Sequence, residues 1–405
     1  MMILRVLRRN FSSRSPLILG IESSCDDTGA AVLRGRTLIS ECLASQMRSH
    51  LSFGGIIPPV AQDFHRSNMD DVVTKCLEKA EIEPKDLDAI AFTNRPGLAL
   101  SLLVGIRYAR HMSRKYNKPL IPIHHMHAHA LTPRMENEDI KFPFMCLLIS
   151  GGHCLLSYVK DIDNFLLLGE SIDDAPGECL DKIARRLKLT NLRQFNNKNG
   201  GQSIEEAARM CTEPTDKYYF PLMLKYYRDC QFSFAGLKNT ALRTIRKEER
   251  NLNLDVDAVL PDYPDFCANV LGALTRHLCH RTQRAIEFCE GQHWFDNVDE
   301  RRLIISGGVA CNDFIYTALS QMCERLNFKA IRPSKKLCMD NGIMVGWNGV
   351  ERFERGIDIC PPSKIDDLDF YAKCPLGDSY IDQVKAKNMS CNWIKIPILK
   401  PYARP

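Results

Sequence analysis

The sequence predicts an α/β protein with two lobes built on a duplicated α/β core. Two apolar runs, Leu147–Gly152 and Leu303–Gly308, end in the same Ser-Gly-Gly tripeptide, and segments with helix-forming character follow both. A short aliphatic run that stops at paired glycines indicates a buried strand that enters a tight turn. The recurrence favours a duplicated unit with a nucleotide bound between its halves. Two unrelated glycine turns are the alternative.

Length and composition agree with a two-domain enzyme. The chain has 405 residues, which suits two domains, and it is 45% hydrophobic and 25% charged, which excludes a disordered chain. No apolar run approaches the length of a membrane span. The net charge of +5 selects no partner by itself. The 17 cysteines include no C-x-x-C pair, so a reducing compartment is favoured over a disulfide framework.

Residues 1–16 have the composition of an organelle-import segment. Arg5, Arg8, Arg9 and Arg14 alternate with apolar pairs, and no acid precedes Glu22. A secretory signal would need a longer unbroken apolar region. The segment therefore predicts import into the mitochondrial matrix. An ordinary basic N-terminus is the alternative.

The first ordered element is predicted to be a β-hairpin. An apolar run over 17–22 is followed by a polar turn and a second apolar run over 30–33. The turn carries Asp26 and Asp27 beside three hydroxyl side chains. A carboxylate at a strand end can accept a proton or bind a metal. A solvated acidic turn is the alternative, and only the two glycine turns elsewhere favour a functional site here.

A histidine-rich segment predicts a metal site. Four of the 11 histidines fall between His124 and His129. On a helix, His125 and His129 would be i and i+4 and would share one face. A zincin peptidase has Glu after the first histidine, and here Met126 occupies that position. A third ligand, most simply a carboxylate, would complete a site for zinc or ferrous iron. Histidines stacked in a polar interface are the alternative.

Asp340 is the candidate for the missing carboxylate. It precedes Gly342 and an apolar stretch with helical character. Its ordinary role there would be to cap that helix. At the mouth of a cleft it could instead complete a two-histidine, one-carboxylate site. Sequence spacing leaves both roles open.

The rest of the chain alternates between strand-like and helix-like runs, as α/β proteins do. The pattern predicts an N-terminal lobe over 17–143, a C-terminal lobe over 144–355 and a tail over 356–405. Predicted strands cover 89–92, 144–149 and 302–305, and predicted helices cover 70–79, 102–115, 180–189, 237–249, 266–290 and 314–326. Basic residues recur in three of these helix-like stretches and are either phosphate contacts or solvated faces: Lys182, Arg185, Arg186, Lys188, Arg243, Arg246, Lys247, Arg250, Arg276, Arg281 and Arg284.

Seven motifs, in order, resemble those of the TsaD/OSGEP family, once called O-sialoglycoprotein endopeptidases. The resemblance extends from Leu17 to about Arg355 and is closest to the organellar branch. His127 and Ala128 replace the Glu and Gly that are usual in the family's metal motif. The matching segments are 20–28, 124–129, 150–153, 169–178, 232–238, 306–312 and 340–342.

The resemblance implies an actin-like, sugar-kinase-like ATPase (ASKHA) fold and a tRNA modification. Family members transfer the threonylcarbamoyl group from threonylcarbamoyl-AMP to N6 of the adenosine 3′ of the anticodon, in tRNAs that read codons beginning with A. The product is N6-threonylcarbamoyladenosine (t6A). By the same resemblance, a separate synthase supplies the donor. It stays open whether the enzyme acts alone or as a homodimer. A metalloendopeptidase and a non-catalytic scaffold with this fold remain as alternatives.

The resemblance also implies roles for individual residues. His125, His129 and Asp340 would bind one divalent metal ion per subunit. Asp26 would lie nearest the reacting carbonyl as the catalytic acid–base group. The residues implied to hold the adenylate and its threonylcarbamoyl group are Leu148, Ile149, Ser150, Gly151, Gly152, Asp181, Gly201 and Asn312.

Overall fold

The computed structural model describes residues 14–53 and 55–402. Nearly all of the predicted import segment, residues 1–16, therefore lies outside the described residues. The strands are β1 (Leu17–Glu22), β2 (Asp27–Arg34), β3 (Thr37–Ser45), β4 (Ala89–Arg95), β5 (Leu120–His124), β6 (Phe144–Ile149), β7 (Cys154–Asp161), β8 (Asn164–Glu170), β9 (Arg302–Ser306), β10 (Lys329–Ile331) and β11 (Asp378–Ser379).

A helix forms at each predicted position, although the one predicted over 180–189 ends at Arg186 and the one predicted over 314–326 ends at Arg325. They are α1 (Met47–Phe53), α2 (Pro58–Ala80), α3 (Ala99–Tyr116), α4 (His125–Leu131), α5 (Pro133–Glu136), α6 (Pro176–Arg186), α7 (Gly200–Arg209), α8 (Ala235–Asn251), α9 (Tyr263–Gly291), α10 (Asp313–Arg325), α11 (Lys335–Cys338), α12 (Gly342–Arg355) and α13 (Ile381–Lys387). Short 3-10 helices cover Pro84–Asp86, Leu189–Asn191, Gly308–Cys311, Pro362–Asp367 and Pro397–Tyr402. Within the described ranges, no helix combines the length and the apolar character that a bilayer crossing requires.

The chain divides into two compact units. The first contains the described residues up to Glu136 together with Asp340–Cys374, and the second contains Asn137–Met339 and the chain from Pro375 onward. This division differs from the predicted lobes over 17–143 and 144–355 because α12 returns to the first unit. The return depends on glycine, since a Cβ on Gly20 of β1 would lie 2.3 Å from the backbone nitrogen of Gly346 in α12. The backbones of strand and helix are therefore in direct contact.

The first unit contains a five-stranded sheet in the order β3-β2-β1-β4-β5. Strands β1, β4 and β5 are parallel, whereas β2 and β3 add antiparallel hairpins. All six residues of β1 are buried. Alternate residues face opposite sides, so Leu19 joins the core that includes residues of α2 and α3, while Ile18 lies against Gly349 of α12. Burial on both faces explains why this strand is a continuous apolar run.

The second unit repeats that plan. Its sheet has the order β10-β9-β6-β7-β8-β11. Within it, β8-β7-β6-β9-β10 reproduces the order and the strand directions of β3-β2-β1-β4-β5. The predicted duplicated α/β core is therefore confirmed. The glycine turns do not mark its two copies, however, because both follow strands of the second unit, β6 and β9. The counterpart of β6 in the first unit is β1, which ends at Glu22 with no glycine pair.

Candidate active site

Helix α4 carries the predicted metal ligands of the histidine segment. It begins directly after β5, and the side chain of His124 caps it by accepting a hydrogen bond from the Met126 backbone N–H at 3.2 Å. The i, i+4 spacing places His125 and His129 on one face, with ring centroids 4.7 Å apart and ring planes nearly perpendicular. Both rings are buried. The sequence prediction of a shared face is confirmed.

Asp340 joins these two histidines within the first unit. Its Oδ1 lies 3.0 Å from Nε2 of His129 and 3.6 Å from Nε2 of His125. One ligand atom from each of the three residues falls within 4.8 Å of the others. The alternative role of Asp340 as a helix cap is wrong. Asn341 caps α12 instead, because its Oδ1 accepts the Met344 N–H at 2.9 Å.

The donor set fits a divalent metal ion. Two imidazole nitrogens and one carboxylate oxygen form a three-ligand group that leaves coordination positions open to substrate or water. The third imidazole of the segment has a different environment. His127 stacks on His124 at 4.4 Å, and its Nδ1 lies 3.4 Å from Nη2 of the buried Arg352. The predicted alternative, histidines stacked in a polar cluster, therefore describes His124 and His127 but not the ligand pair.

A buried carboxylate that the sequence analysis did not identify lies behind His125. Glu22, at the end of β1, is completely buried, and its Oε2 is 3.4 Å from Nδ1 of His125. Ser24 contributes its hydroxyl at 3.0 Å from the same nitrogen. Carboxylates that bind the outer nitrogen of a metal-ligating histidine fix the orientation of its ring. The available signal was an acidic residue at the end of an otherwise apolar strand.

The charges around His125 alter its proton affinity. Burial lowers its pKa, but the carboxylates of Asp340 and Glu22 outweigh burial and raise the pKa to about 9. For Glu22, burial raises the pKa, yet the neighbouring His125 holds it below its usual value. Glu22 and His125 therefore stabilise each other's charged forms.

The acidic turn between β1 and β2 is held by a histidine of α2. His65 is fully buried, with Nε2 at 3.0 Å from the carbonyl oxygen of Cys25 and Nδ1 at 2.7 Å from Oγ1 of Thr28. Burial lowers the pKa of His65, so a neutral ring donates from Nε2 and accepts from the threonine hydroxyl. His65 therefore connects the two ends of the turn that contains Asp26 and Asp27. Nothing in the sequence distinguishes this histidine from an ordinary helix residue.

Both aspartates of the turn bind protons more tightly than usual. Burial and the charge of Asp340 raise the pKa of Asp26. Burial also raises the pKa of Asp27 to about 7, with further contributions from Asp26 and Asp340. A carboxylate whose pKa moves towards neutrality is better suited to accept a proton near pH 7. The turn is thus not the fully solvated acidic turn that was the alternative.

The first glycine turn of the second unit joins β6 to β7. The sequence after this turn predicts a helix, whereas the structure has a β-hairpin, with Ile149 paired to Cys154. The side chains of Leu148 and Ile149 are buried in the sheet. The Ser150 Oγ accepts the backbone N–H groups of Gly152 and His153 at 3.2 and 3.0 Å. Convergent N–H groups of this kind form an anion-binding concavity.

The other predicted substrate residues of the second unit are Asp181, Gly201 and Asn312. Helix α6 starts against the turn, since Gly177 N–H donates to the Ser150 carbonyl at 3.1 Å. One turn later, Oδ1 of Asp181 accepts the Gly201 N–H at 3.0 Å, so these two predicted residues are in contact. Asn312 follows the second glycine turn and caps α10 through Ile315. Because β6 and β9 are adjacent and parallel, both glycine turns leave the same edge of the sheet.

The basic residues predicted as possible tRNA contacts fall into three groups: buried, ion-paired and exposed. Arg276, Arg281 and Arg284 of α9 are buried and donate to backbone carbonyls, so their prediction as surface contacts is wrong. Arg186 and Lys188 pair with Glu249. The exposed residues are Arg185, Arg243, Arg246, Lys247 and Arg250.

The repeated strand order places this chain in the class of actin-like, sugar-kinase-like α/β enzymes, and the predicted fold class is confirmed. The fold is also similar to that of HypF from T. kodakarensis, with a TM-score of 0.53 at 15% identity over 85% of this chain and 48% of that chain. At that identity the similarity concerns the fold alone.

Comparison of sequences identifies the family. The sequence model of TsaD, described as tRNA N6-adenosine threonylcarbamoyltransferase, matches residues 37–347. A Drosophila melanogaster protein named as a probable mitochondrial tRNA N6-adenosine threonylcarbamoyltransferase is 46% identical over 94% of both chains. A Homo sapiens protein named as the mitochondrial enzyme is 41% identical over 95% of this chain and 90% of its own length. The chain belongs to the TsaD family.

Proposed function

We propose that this protein transfers the threonylcarbamoyl group from threonylcarbamoyl-AMP to N6 of the adenosine 3′ of the anticodon, in mitochondrial tRNAs that read codons beginning with A. The observation that carries the proposal is the convergence of His125, His129 and Asp340 in a chain whose TsaD match spans residues 37–347. The curated relatives in fly and human are named as mitochondrial forms of this transferase. The matrix is therefore the proposed location, and a separate synthase is the proposed source of the donor.

The chemistry requires orientation and charge stabilisation more than a protein nucleophile. The donor is a mixed anhydride, so the bond between the carbonyl carbon and a phosphate oxygen of AMP breaks while the bond from N6 to that carbon forms. The exocyclic amine is a weak nucleophile because its lone pair is delocalised into the adenine ring. Positioning the amine and stabilising negative charge on the carbonyl and phosphate oxygens supply the rate enhancement.

Each set of residues has a role in that reaction. Asp26, with its raised pKa, accepts the proton that N6 loses. The backbone N–H groups that converge on Ser150 Oγ bind a phosphate oxygen of the adenylate in place of that hydroxyl. Asp181 holds the Gly201 backbone in position beside the same helix. Asn312 follows the second glycine turn. Its Oδ1 caps α10, and its amide nitrogen is the group that binds the adenylate.

The metal ion belongs to the first unit. His125, His129 and Asp340 would hold it, and nitrogen and oxygen ligands of this kind suit zinc or ferrous iron. When bound, the ion supplies Lewis-acid stabilisation to an oxygen that gains negative charge. Whether the enzyme works alone or as a homodimer does not alter these assignments, since each residue comes from one chain.

The arrangement is unfavourable for a metallopeptidase. Such an enzyme needs a carboxylate base with access to metal-bound water. Met126 replaces the glutamate of the zincin motif. The other nearby glutamate, Glu22, contacts His125 through Nδ1, the nitrogen that faces away from Asp340, and is completely buried. A non-catalytic scaffold would need neither the raised pKa of Asp26 nor a metal-ligand group.

The test is a transfer assay with purified protein, threonylcarbamoyl-AMP and an unmodified mitochondrial tRNA transcript. Mass spectrometry of the digested RNA should detect t6A, and AMP should appear in equal amount only when tRNA is present. Asp26→Asn should lower the rate by about 100-fold or more, the usual contribution of a general base. Asp63→Asn, at an exposed acid of α2, is the matched control and should retain activity. AMP release without t6A would overturn the proposal.

A further inference from the structure

A short turn in the second unit exposes two adjacent tyrosines. The turn, Leu224–Arg228, lies before α8 and is closed by a hydrogen bond from the Tyr227 N–H to the Leu224 carbonyl at 3.0 Å. Tyr226 is 87% exposed and Tyr227 is 60% exposed. Aromatic rings normally bury most of their surface. Two neighbouring rings in solvent therefore form an exposed apolar patch.

The backbone of this tyrosine turn is held in place by hydrogen bonds from Arg281. Arg281 of α9 is only 3% exposed, and its Nη1 donates to the carbonyls of Tyr227 and Asp229, both at 2.9 Å. Its Nη2 donates to the Leu224 carbonyl. Leu224 has a φ of +50°, a strained conformation for a branched residue, and the arginine bonds compensate for that strain. The buried Arg281 thus fixes the backbone that carries the exposed rings of Tyr226 and Tyr227.

The two tyrosines are flanked in the sequence by the basic residues Lys225 and Arg228. Lys225 and Arg228 are exposed and form no ion pair with any residue in the described ranges. The Lys225 Nζ lies 6.0 Å from the Tyr226 ring centroid. The acid that follows the turn, Asp229, is buried and pairs with Arg281. Nη1 of Arg228 is 3.4 Å from the Asn388 carbonyl, next to the basic last turn of α13, which carries Lys385 and Lys387.

We infer that the tyrosine turn is a stacking platform for unpaired bases of an RNA loop. Exposed aromatic faces beside unpaired cations are the features by which proteins bind single-stranded RNA, since bases stack on the rings and the cations contact phosphates. The unpaired cations favour an anionic partner, and RNA combines phosphates for the cations with unpaired bases that stack on the rings. The inference rests on the proposed function, which supplies the substrate in question: the anticodon loop of a tRNA presents unstacked bases, whereas its stem does not.

The experiment measures RNA binding without donor, by fluorescence anisotropy with a labelled anticodon stem-loop of the substrate tRNA and with a blunt duplex of the same stem. The double variant Tyr226→Ala/Tyr227→Ala should raise the Kd for the stem-loop at least about tenfold, as expected for loss of base stacking. The Kd for the duplex should not change. The double variant Tyr226→Phe/Tyr227→Phe keeps both ring faces and should bind like the wild type.

Two controls separate the possible outcomes. Tyr371→Ala removes a comparably exposed tyrosine, 52% exposed, from the first unit and should leave both Kd values unchanged. Thermal unfolding should be unaltered in all variants. Equal stem-loop affinity in wild type and the alanine variant, or equal losses in the alanine and phenylalanine variants, would overturn the platform. If the wild type forms t6A but the alanine variant binds normally, only this inference fails, whereas absence of t6A formation by the wild type contradicts the proposed function.

Discussion

Glu22 and His125 are 103 residues apart in the sequence, yet Oε2 of Glu22 lies 3.4 Å from Nδ1 of His125. The carboxylate is itself fixed, because Thr93 donates to Oε2 at 2.5 Å and the Ser24 N–H donates to Oε1 at 2.6 Å. With Nδ1 engaged, Nε2 of His125 is directed towards Asp340. The buried glutamate therefore determines which nitrogen is available as a ligand.

Replacing Glu22 should weaken metal binding while leaving the ligands in place. Glu22→Gln keeps the volume of the side chain but removes its charge, and loss of such a partner typically costs 10- to 100-fold in metal affinity, an order-of-magnitude expectation. Competition titration of Zn²⁺ against a chromophoric chelator measures the change. Thr93→Val, which removes one hydrogen bond to Glu22, should give a smaller loss. Unchanged zinc affinity in Glu22→Gln would show that the ring is oriented by other contacts.

The two environments of the histidine segment lead to a second prediction. His125→Ala should remove bound metal and abolish transfer, because a three-ligand group has no spare donor. His127→Gln should retain full metal content, since His127 stacks on His124 and contacts Arg352 rather than Asp340. Elemental analysis of the purified variants, with circular dichroism to check folding, distinguishes the two. Full metal content in His125→Ala would mean that the assigned ligands are wrong.

The sequence was sufficient where the signal is local. The i, i+4 spacing of His125 and His129, the apolar strands and the helical periodicity all depend on near neighbours in the chain, and the structure confirms them. The sequence could not decide whether Asp340 caps α12 or binds a metal, because the neighbouring Asn341 is equally able to cap the helix. In the structure Asn341 is the cap.

The sequence could not predict contacts between side chains that are far apart in the chain. Glu22 reaches His125 only because β1 and β5 belong to one sheet, and His65 reaches the acidic turn only because α2 packs on β2. The two similar glycine turns suggested the two copies of the duplicated unit, whereas the strand order places both turns in one sheet. The sequence predicted that the arginines of α9 lie on the surface, since charged side chains are usually exposed. These arginines are buried because backbone carbonyls accept the hydrogen bonds of their guanidinium groups.

The glycines of the two turns should respond differently to substitution. No atom of the described chain lies within 4 Å of a Cβ placed on Gly152, so Gly152→Val should leave stability unchanged but obstruct a bound phosphate. Its affinity for AMP, measured by calorimetry, should fall at least about tenfold if convergent N–H groups bind the anion. Undiminished AMP affinity in this variant would argue against a phosphate at this turn.

Gly307 is the matched contrast for that experiment. Its φ is +95°, and an added Cβ would lie 2.5 Å from the Ile149 carbonyl oxygen. Gly307→Ala should therefore destabilise the protein by about 1–3 kcal/mol through backbone strain. Chemical denaturation measures the change.

The raised pKa of Asp27 predicts how stability depends on pH. The pKa is about 7 in the folded protein against 3.8 for an ordinary aspartate, so the folded state holds this proton more tightly than the unfolded state. The contribution of Asp27 to the free energy of unfolding is therefore most favourable below pH 4 and is lost as the pH rises from about 4 to 7. Asp27→Asn should stabilise the protein at pH 8 by on the order of 2–4 kcal/mol. Urea unfolding at pH 5 and pH 8 provides the measurement, and an equal effect at both values would contradict the assignment.

The exposed basic face of α8 should contribute to tRNA binding through charge alone. Arg243 and Arg246 are exposed and form no ion pair within residues 14–53 and 55–402. Arg243→Glu/Arg246→Glu should raise the KM for tRNA and leave AMP affinity unchanged. It should also reduce the slope of log Kd against log salt by about 2, because each phosphate contact releases about one counterion. Arg66→Glu/Arg114→Glu in the first unit is the control for net charge. If both double variants shift tRNA binding equally at every salt concentration, the effect comes from overall charge and α8 makes no specific phosphate contacts.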